Sequence, residues 1–233
     1  MCNKPPLTCP IDTSKLNIPK TGTTTTTTTY TGSSSSSSSK SSGGSCFAGT
    51  EQVRLESGTV KAISEVRVGD RVLSVNGQGE AVYSDVISIP HGPNNIPTTF
   101  AQIGTESGRD LKMTLNHFLP AGACALSTLP LVTASQIAVG DCVQTVSGRE
   151  HVVSVGKVEA RGIYTIIAME ELIVVNGIVA TPFGGVNPTL ANIYYNYHRL
   201  LHSALSGKAS LVAQHWLQTI AQGFWYSLTA QSI

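Results

Sequence analysis

Between positions 46 and 186, hydrophobic and polar residues follow one another in short runs, as in Arg71–Val75 and Ala81–Ile87. This alternation is typical of β-strands that bury one face. The dipeptides Asn76-Gly77 and Ser147-Gly148 interrupt the runs and predict tight turns. Helical spacing is absent here. The pattern therefore predicts an all-β domain.

The same stretch contains an internal repeat. Residues 64–75 (SEVRVGDRVLSV) match residues 135–146 (SQIAVGDCVQTV) at an offset of 71. The apolar positions coincide, and a Gly-Asp turn recurs at Gly69-Asp70 and Gly140-Asp141. Two copies are too few for a solenoid, so we expect a pseudo-two-fold β-domain whose halves share one core. The alternative is chance similarity between two β-turn-β units.

The period changes in the tail, 187–233. Apolar residues there recur at helical spacing, Asn187-Pro188 is suited to open a helix, and Gly207 is suited to close it. A second helical run covers about 208–222 and leads into an aromatic segment. We therefore expect a C-terminal helical tail.

The N-terminal region has a different composition. Of the 25 residues in 21–45, 19 are serine or threonine. Such a segment buries too little apolar surface to offset its ordering entropy, which predicts a disordered linker. Residues 1–20 are too few to fold alone, so we interpret them as the remnant of an upstream segment.

Composition narrows the function. The formal net charge is +1 and only 12% of residues are charged, so the chain lacks the dense basic face that nucleic-acid binding needs. No apolar run reaches the roughly 18 residues of a membrane span, and residues 1–6 do not form a signal peptide.

The five cysteines are too few for a disulfide scaffold, and their odd number leaves at least one thiol unpaired within the chain. Cys142 is expected in a core strand and Cys124 in a loop, both as structural or incidental residues. Cys2 and Cys9 would pair only in an extracellular setting.

Cys46 is the residue with the most distinctive position, directly after the flexible linker. A cysteine thiol can attack the carbonyl of the preceding residue and convert that amide into a thioester, an N-to-S acyl shift. The reaction needs donors for the oxyanion and an acid that protonates the leaving amine. Thr114 and His117, beside the strand Leu111–Thr114, suit these roles. Each of these residues alone is weak evidence for such a site, because buried cysteines are more often core residues and T-x-x-H is common by chance.

Five ordered motifs together resemble the autoprocessing domain of hedgehog proteins, the Hog or Hint domain that is shared with inteins. The resemblance covers residue 46 to about 181 and implies a horseshoe-shaped, pseudo-two-fold all-β fold. It also implies that Cys46 forms the thioester, that Thr114 and His117 assist, and that Ser45–Cys46 is the scissile bond. The motifs are Cys46-Phe47, Gly69–Leu73, Val82–Asp85, Thr114–His117 and Ile173–Gly177.

The chain departs from this family at five positions. Ser45 replaces the usual glycine but is still small. Ala180-Thr181 stand where inteins carry His-Asn, so asparagine cyclisation and two-sided splicing are not expected. His91 stands where hedgehogs have the aspartate base for the sterol hydroxyl, and neutral imidazole can also accept that proton. Pro182 lies near the position of a later hedgehog cysteine.

The resemblance implies that a sterol, water or another nucleophile resolves the thioester. The tail occupies the position of the hedgehog sterol-recognition region, and its aromatic residues would contact a membrane lipid. The alternative is that its segments pack on the β-domain or on each other. The lipid-contact candidates are Tyr194, Tyr197, Trp216 and Trp225.

The remaining histidines give weaker evidence of a functional role. His198 and His202 stand four residues apart on the predicted helix, a spacing that can hold a metal. No acidic residue or cysteine stands nearby, so no metal site is predicted. His151 and His215 are interpreted as surface or packing residues.

The sequence thus predicts a single-turnover, cis-acting autoprotease, 46–186, that cleaves its own chain before Cys46 and transfers the upstream fragment to a sterol such as cholesterol, or to water. Its own upstream segment is the substrate, no cofactor is needed, and a monomer is expected. The resemblance implies a secretory route. The alternative interpretations are a degenerate Hint domain that binds without cleaving, an intein-type element, and an adhesive protein suggested by the Ser/Thr tract.

Overall fold

The structure is a computed structural model that describes residues 46–91, 95–185 and 188–205. These residues form fourteen strands, two short 3-10 turns (Ile63–Glu65 and Ala134–Gln136) and one α-helix, α1 (Pro188–Leu205). The strands are β1 (Phe47–Ala48), β2 (Gln52–Arg54), β3 (Val60–Ala62), β4 (Arg71–Val75), β5 (Ala81–His91), β6 (Pro97–Thr105), β7 (Asp110–Thr114), β8 (Phe118–Ala123), β9 (Leu131–Thr133), β10 (Asp141–Thr145), β11 (Gly148–Arg161), β12 (Ile163–Ala168), β13 (Leu172–Val175) and β14 (Ile178–Ala180).

Twelve strands form one sheet in the order β11-β6-β7-β1-β12-β5-β4-β13-β14-β10-β8-β9, and β2 pairs with β3. A further pairing of β10 with β11 brings the strand order back upon itself. The strand pairs are antiparallel, as expected from alternating patterns joined by short turns. The all-β prediction is confirmed.

The two copies of the repeat fold alike. Gly69 and Gly140 both have positive φ angles, 93° and 95°, which glycine adopts without steric cost. The carboxylate of the following aspartate, Asp70 or Asp141, accepts a backbone N–H at 2.9 Å in each copy. The 3-10 turns also lie 71 positions apart. The pseudo-two-fold prediction is therefore confirmed.

One buried cluster serves both halves. Val72 and Val143, equivalent residues of β4 and β10, are fully buried in it. Ile63 and Ala134 at the two 3-10 turns belong to the same cluster. Because apolar burial contributes most of the stabilisation of a fold, this shared cluster couples the stability of the two halves.

The C-terminal helix is confirmed as far as Leu205. Its predicted end at Gly207, the second helical run at 208–222, and the predicted linker and remnant at 1–45 lie outside the described residues. Among the described helices, none is long and apolar enough to cross a membrane.

Cys124 and Cys142 form a disulfide, which the sequence analysis did not predict. Cys142 is buried in β10 and Cys124 follows β8, as expected for each alone. The pairing of Cys142 with Gly122 across β8 and β10 brings the two together. The number of cysteines carries no information on that register, so the sequence does not predict the bond.

A buried carboxylate connects three separate parts of the sheet. Glu51 is 1% exposed and accepts hydrogen bonds from the backbone N–H of Lys112 at 3.0 Å and from Nδ2 of Asn176 at 2.7 Å. Asn176, with φ of 50°, forms the turn between β13 and β14, and its Oδ1 accepts the N–H of Gln52 at 2.6 Å. Glu51 thus joins the Asn-Gly turn to β2 and β7.

Glu51→Ala should lower the free energy of unfolding by about 3 kcal/mol, because it leaves the buried N–H of Lys112 and Nδ2 of Asn176 without their carboxylate acceptor. Denaturant unfolding monitored by circular dichroism measures the change. The exposed Glu65→Ala is the matched control and should shift stability by no more than about 0.5 kcal/mol. Equal effects of the two substitutions would contradict the role given to Glu51.

Candidate active site around Cys46

Cys46 lies at the entry of β1, which is inserted between β7 and β12. Phe47 pairs with Met113 on one side and with Tyr164 on the other. The cysteine is fully buried and is the free thiol among the described residues. Its position is fixed by strands on both sides.

Thr114 forms two hydrogen bonds with Cys46. The Thr114 backbone N–H donates to the Cys46 carbonyl at 2.9 Å, and the Cys46 N–H donates to Thr114 Oγ1 at 3.1 Å. That N–H belongs to the Ser45–Cys46 amide. Thr114, expected as a donor to the oxyanion, is here an acceptor from the amide nitrogen. Ser45, which carries the carbonyl, lies outside the described residues.

His117 is fully buried beside Cys46. Its Nε2 lies 2.7 Å from the carbonyl oxygen of Thr181, and its ring centroid lies 4.3 Å from that of Phe47. A carbonyl only accepts, so Nε2 carries the hydrogen and Nδ1 carries the lone pair. Nδ1 is buried and has no hydrogen-bond partner among the described residues.

Burial lowers the pKa of His117 to about 4, although the backbones of Thr181 and Cys46 act in the opposite direction. The ring is therefore neutral near pH 7. In this state it is a base at Nδ1 and becomes an acid only after it takes up a proton.

The thiol of Cys46 has one polar neighbour that the sequence analysis missed. Thr165 Oγ1 of β12 donates to Cys46 Sγ at 3.3 Å. Burial raises the pKa of Cys46 to about 11, and this hydrogen bond lowers it only in part. The group is therefore a thiol, not a thiolate, near pH 7. No motif singles out Thr165 in the sequence.

His91 lies at the end of β5, directly opposite Thr165 of β12. Directly opposed residues project on the same face of a sheet, so His91 is on the face that holds the Cys46 thiol. Its Nδ1 is buried without a hydrogen-bond partner among the described residues, and burial lowers its pKa. The chain brings a neutral imidazole to this face.

Helix α1 packs against the sheet close to Cys46. The buried Arg199 donates from Nε to the Ala168 carbonyl at 3.1 Å and from an Nη to the Glu170 carbonyl at 2.8 Å. Tyr195 stacks on Phe183 with centroids 5.9 Å apart. Burial raises the pKa of Tyr195, and Tyr194 and Cys46 add to this shift.

Two of the four lipid-contact candidates lie among the described residues, and these two differ in exposure. Tyr194 is half-buried and contacts the ring of His198, which lies on the same helix, with ring centroids 4.5 Å apart. Tyr197 is 51% exposed and remains available for contact. Trp216 and Trp225 lie outside the described residues.

The predictions for the other histidines have different outcomes. His198 is buried, and neither it nor His202 belongs to a metal-ligand group in the part of the chain that the structure describes. His151, interpreted as a surface or packing residue, has its Nδ1 3.2 Å from Cys124 Sγ. His215, like Trp216 and Trp225, lies outside the described residues.

Comparison of the chain with known proteins identifies its family. The Hint-module family model matches residues 33–233. The hedgehog protein of Drosophila virilis is 33% identical over 147 residues, which cover 61% of this chain and 30% of that protein. The hedgehog protein of Drosophila melanogaster is 32% identical over 148 residues, which cover 61% of this chain and 31% of that protein.

This chain therefore spans about a third of the length of these relatives. A mutant of the Ssp DnaB mini-intein has a similar structure, with a TM-score of 0.50 over 64% of this chain and 97% of the intein, at 12% sequence identity. That likeness concerns the fold alone. Together with the matched family model, these findings show that the chain belongs to the Hint-module family, the autoprocessing domains of hedgehog proteins and inteins.

Proposed function

We propose that this chain cleaves itself before Cys46 by an N-to-S acyl shift. The observation that carries the proposal is the environment of the Ser45–Cys46 amide. Its N–H is held by Thr114 Oγ1 at 3.1 Å, and the neutral ring of His117, which packs on Phe47 with centroids 4.3 Å apart, has Nδ1 unpartnered among the described residues. A free, buried thiol belongs to the same residue as the amide nitrogen.

In the first step the Cys46 sulfur attacks the Ser45 carbonyl carbon and loses its proton. The C–S bond forms, the C–N bond breaks, and the Cys46 nitrogen leaves as an amine after it gains a proton. His117 Nδ1 is the proposed carrier, because it has the lone pair to take a proton and the location to return it to nitrogen. Thr114 Oγ1 accepts the N–H of this amide and so fixes the orientation of the nitrogen that leaves.

In the second step a nucleophile attacks the thioester. We propose a sterol hydroxyl, with His91 Nδ1 as the base that removes its proton. His91 lies opposite Thr165, whose hydroxyl contacts the Cys46 sulfur, so base and thioester share one face. The C–O bond forms, the C–S bond breaks and the Cys46 sulfur takes up a proton to become a thiol again, so the product would be the upstream fragment esterified to the sterol. Water is the competing nucleophile and gives a free acid.

We also propose a secretory route for the whole protein, as for its hedgehog relatives. The Cys124–Cys142 disulfide supports this, because such bonds persist in oxidising compartments. A monomer suffices, since the proposed site is built from one chain.

Cleavage of the full chain by dithiothreitol tests the first step, because this thiol intercepts the thioester. Mass spectrometry should find products ending at Ser45 and beginning at Cys46. Cys46→Ala should leave the chain intact, and His117→Ala should slow cleavage by roughly 10²–10⁴-fold. His202→Ala, on α1, is the matched control and should cleave at the normal rate. An intact parent chain with normal β-sheet circular dichroism would favour the degenerate, binding-only Hint domain instead.

Substitution of His91 tests the second step. His91→Ala should abolish sterol-dependent cleavage and leave dithiothreitol cleavage unchanged, whereas His91→Asp should retain both. Because burial lowers the pKa of His91 from 6.5, the base is neutral at and above that pH. Sterol transfer by the parent should therefore decline only below pH 6.5, as the ring gains a proton. A parent that yields the free acid in the presence of sterol would identify water as the nucleophile.

A further inference from the structure

A second group of reactive side chains lies outside the site around Cys46. Cys124, Cys142 and His151 each place one potential ligand atom within 4.8 Å of the other two. Two sulfurs and an imidazole nitrogen are the donors that Zn²⁺ and similar cations prefer. Among the described residues, this is the one group of cysteine, histidine or acidic residues close enough to hold a metal ion.

The β-ladder fixes two of the donors independently of the disulfide. Cys142 and His151 are directly opposed residues of β10 and β11, so they project on the same face. The backbone N–H of His151 donates to Glu106 Oε1 at 3.1 Å, which holds the strand in register at this point. Reduction of the disulfide would leave both donors in place.

The third donor is on a loop that a charged side chain holds. Arg149 donates from Nη1 to the Cys124 carbonyl at 3.0 Å and from Nη2 to the Ser127 carbonyl at 2.9 Å. Cys124 is half-buried, whereas Cys142 is 3% exposed, so Cys124 is the sulfur that can rotate. Two sulfurs on one tetrahedral zinc lie about 3.8 Å apart, given Zn–S bonds of about 2.3 Å. Rotation of Cys124 alone supplies that separation.

We propose that Cys124, Cys142 and His151 form a site with two states, a disulfide and, after reduction, a three-donor site for Zn²⁺ or a similar soft divalent cation. A dithiol supplies two electrons and two protons and becomes a disulfide, whereas a phosphine supplies the two electrons and takes the oxygen of a water molecule, whose two protons go to the sulfurs. In both cases the S–S bond becomes two thiols. The metal then displaces both thiol protons and accepts the Nδ1 lone pair of His151. Two thiolates balance the metal charge, and the exposed side of His151 leaves the fourth position to water.

The test uses the full chain with Cys2→Ser, Cys9→Ser and Cys46→Ala, so that no other thiol competes and no cleavage occurs. After phosphine reduction, Co²⁺ titration should give thiolate-to-cobalt charge-transfer and tetrahedral d–d absorption at one equivalent, and Zn²⁺ should remove both. The unreduced protein should give neither. His151→Ala should weaken Co²⁺ binding by at least about tenfold, while His202→Ala should not change it.

Absence of the charge-transfer band in the reduced protein, or equal affinity of His151→Ala and the parent, would overturn the proposal. Far-UV circular dichroism is recorded on each sample. If reduction alone unfolds the chain, the proposal requires Zn²⁺ to restore the β-sheet spectrum, and failure to do so overturns it. Because Cys46 is absent from this protein, the result is independent of the proposed self-cleavage.

Discussion

The site depends on the insertion of β1 between β7 and β12. A two-residue strand has little stability of its own, but here it pairs on both edges. That double pairing takes Cys46 out of solvent and places the amide before it against Thr114, 68 residues away in the chain. The thiol, the threonine hydroxyl and the histidine ring are then positioned by backbone geometry, and no mobile loop is needed to assemble them.

Exclusion of water sets the chemical state of the site. The same burial raises the pKa of Cys46 and lowers that of His117, so thiol and imidazole are both neutral near pH 7. A neutral pair gains little by separating charge in a buried setting. In the proposed acyl shift, the proton would therefore leave the thiol only as the C–S bond forms, and the site stays neutral until then.

Features with a local signal could be predicted from the sequence. Alternation predicted the strands, the Gly-Asp repeat predicted two equivalent halves, and the resemblance carried by the five ordered motifs implied that Thr114 and His117 act together with Cys46. Features that depend on distant pairing could not. Thr165 contacts the sulfur only because β1 and β12 are neighbours, and Cys124 meets Cys142 only through the register of β8 and β10. Likewise, helical spacing predicted α1 but not which face carries the buried Arg199.

The two halves of the fold use different bonds at one equivalent position. Arg71 of β4 forms ion pairs with Glu56 at 3.1 Å and Asp85 at 3.3 Å, and all three side chains are about half exposed. The equivalent residue of β10 is Cys142, which is cross-linked to Cys124. Salt screens the first connection and leaves the second untouched, whereas a reductant cleaves the second and leaves the first. Two halves that share one core and one repeated sequence pattern are thus sensitive to separate properties of their surroundings, ionic strength for one and redox potential for the other.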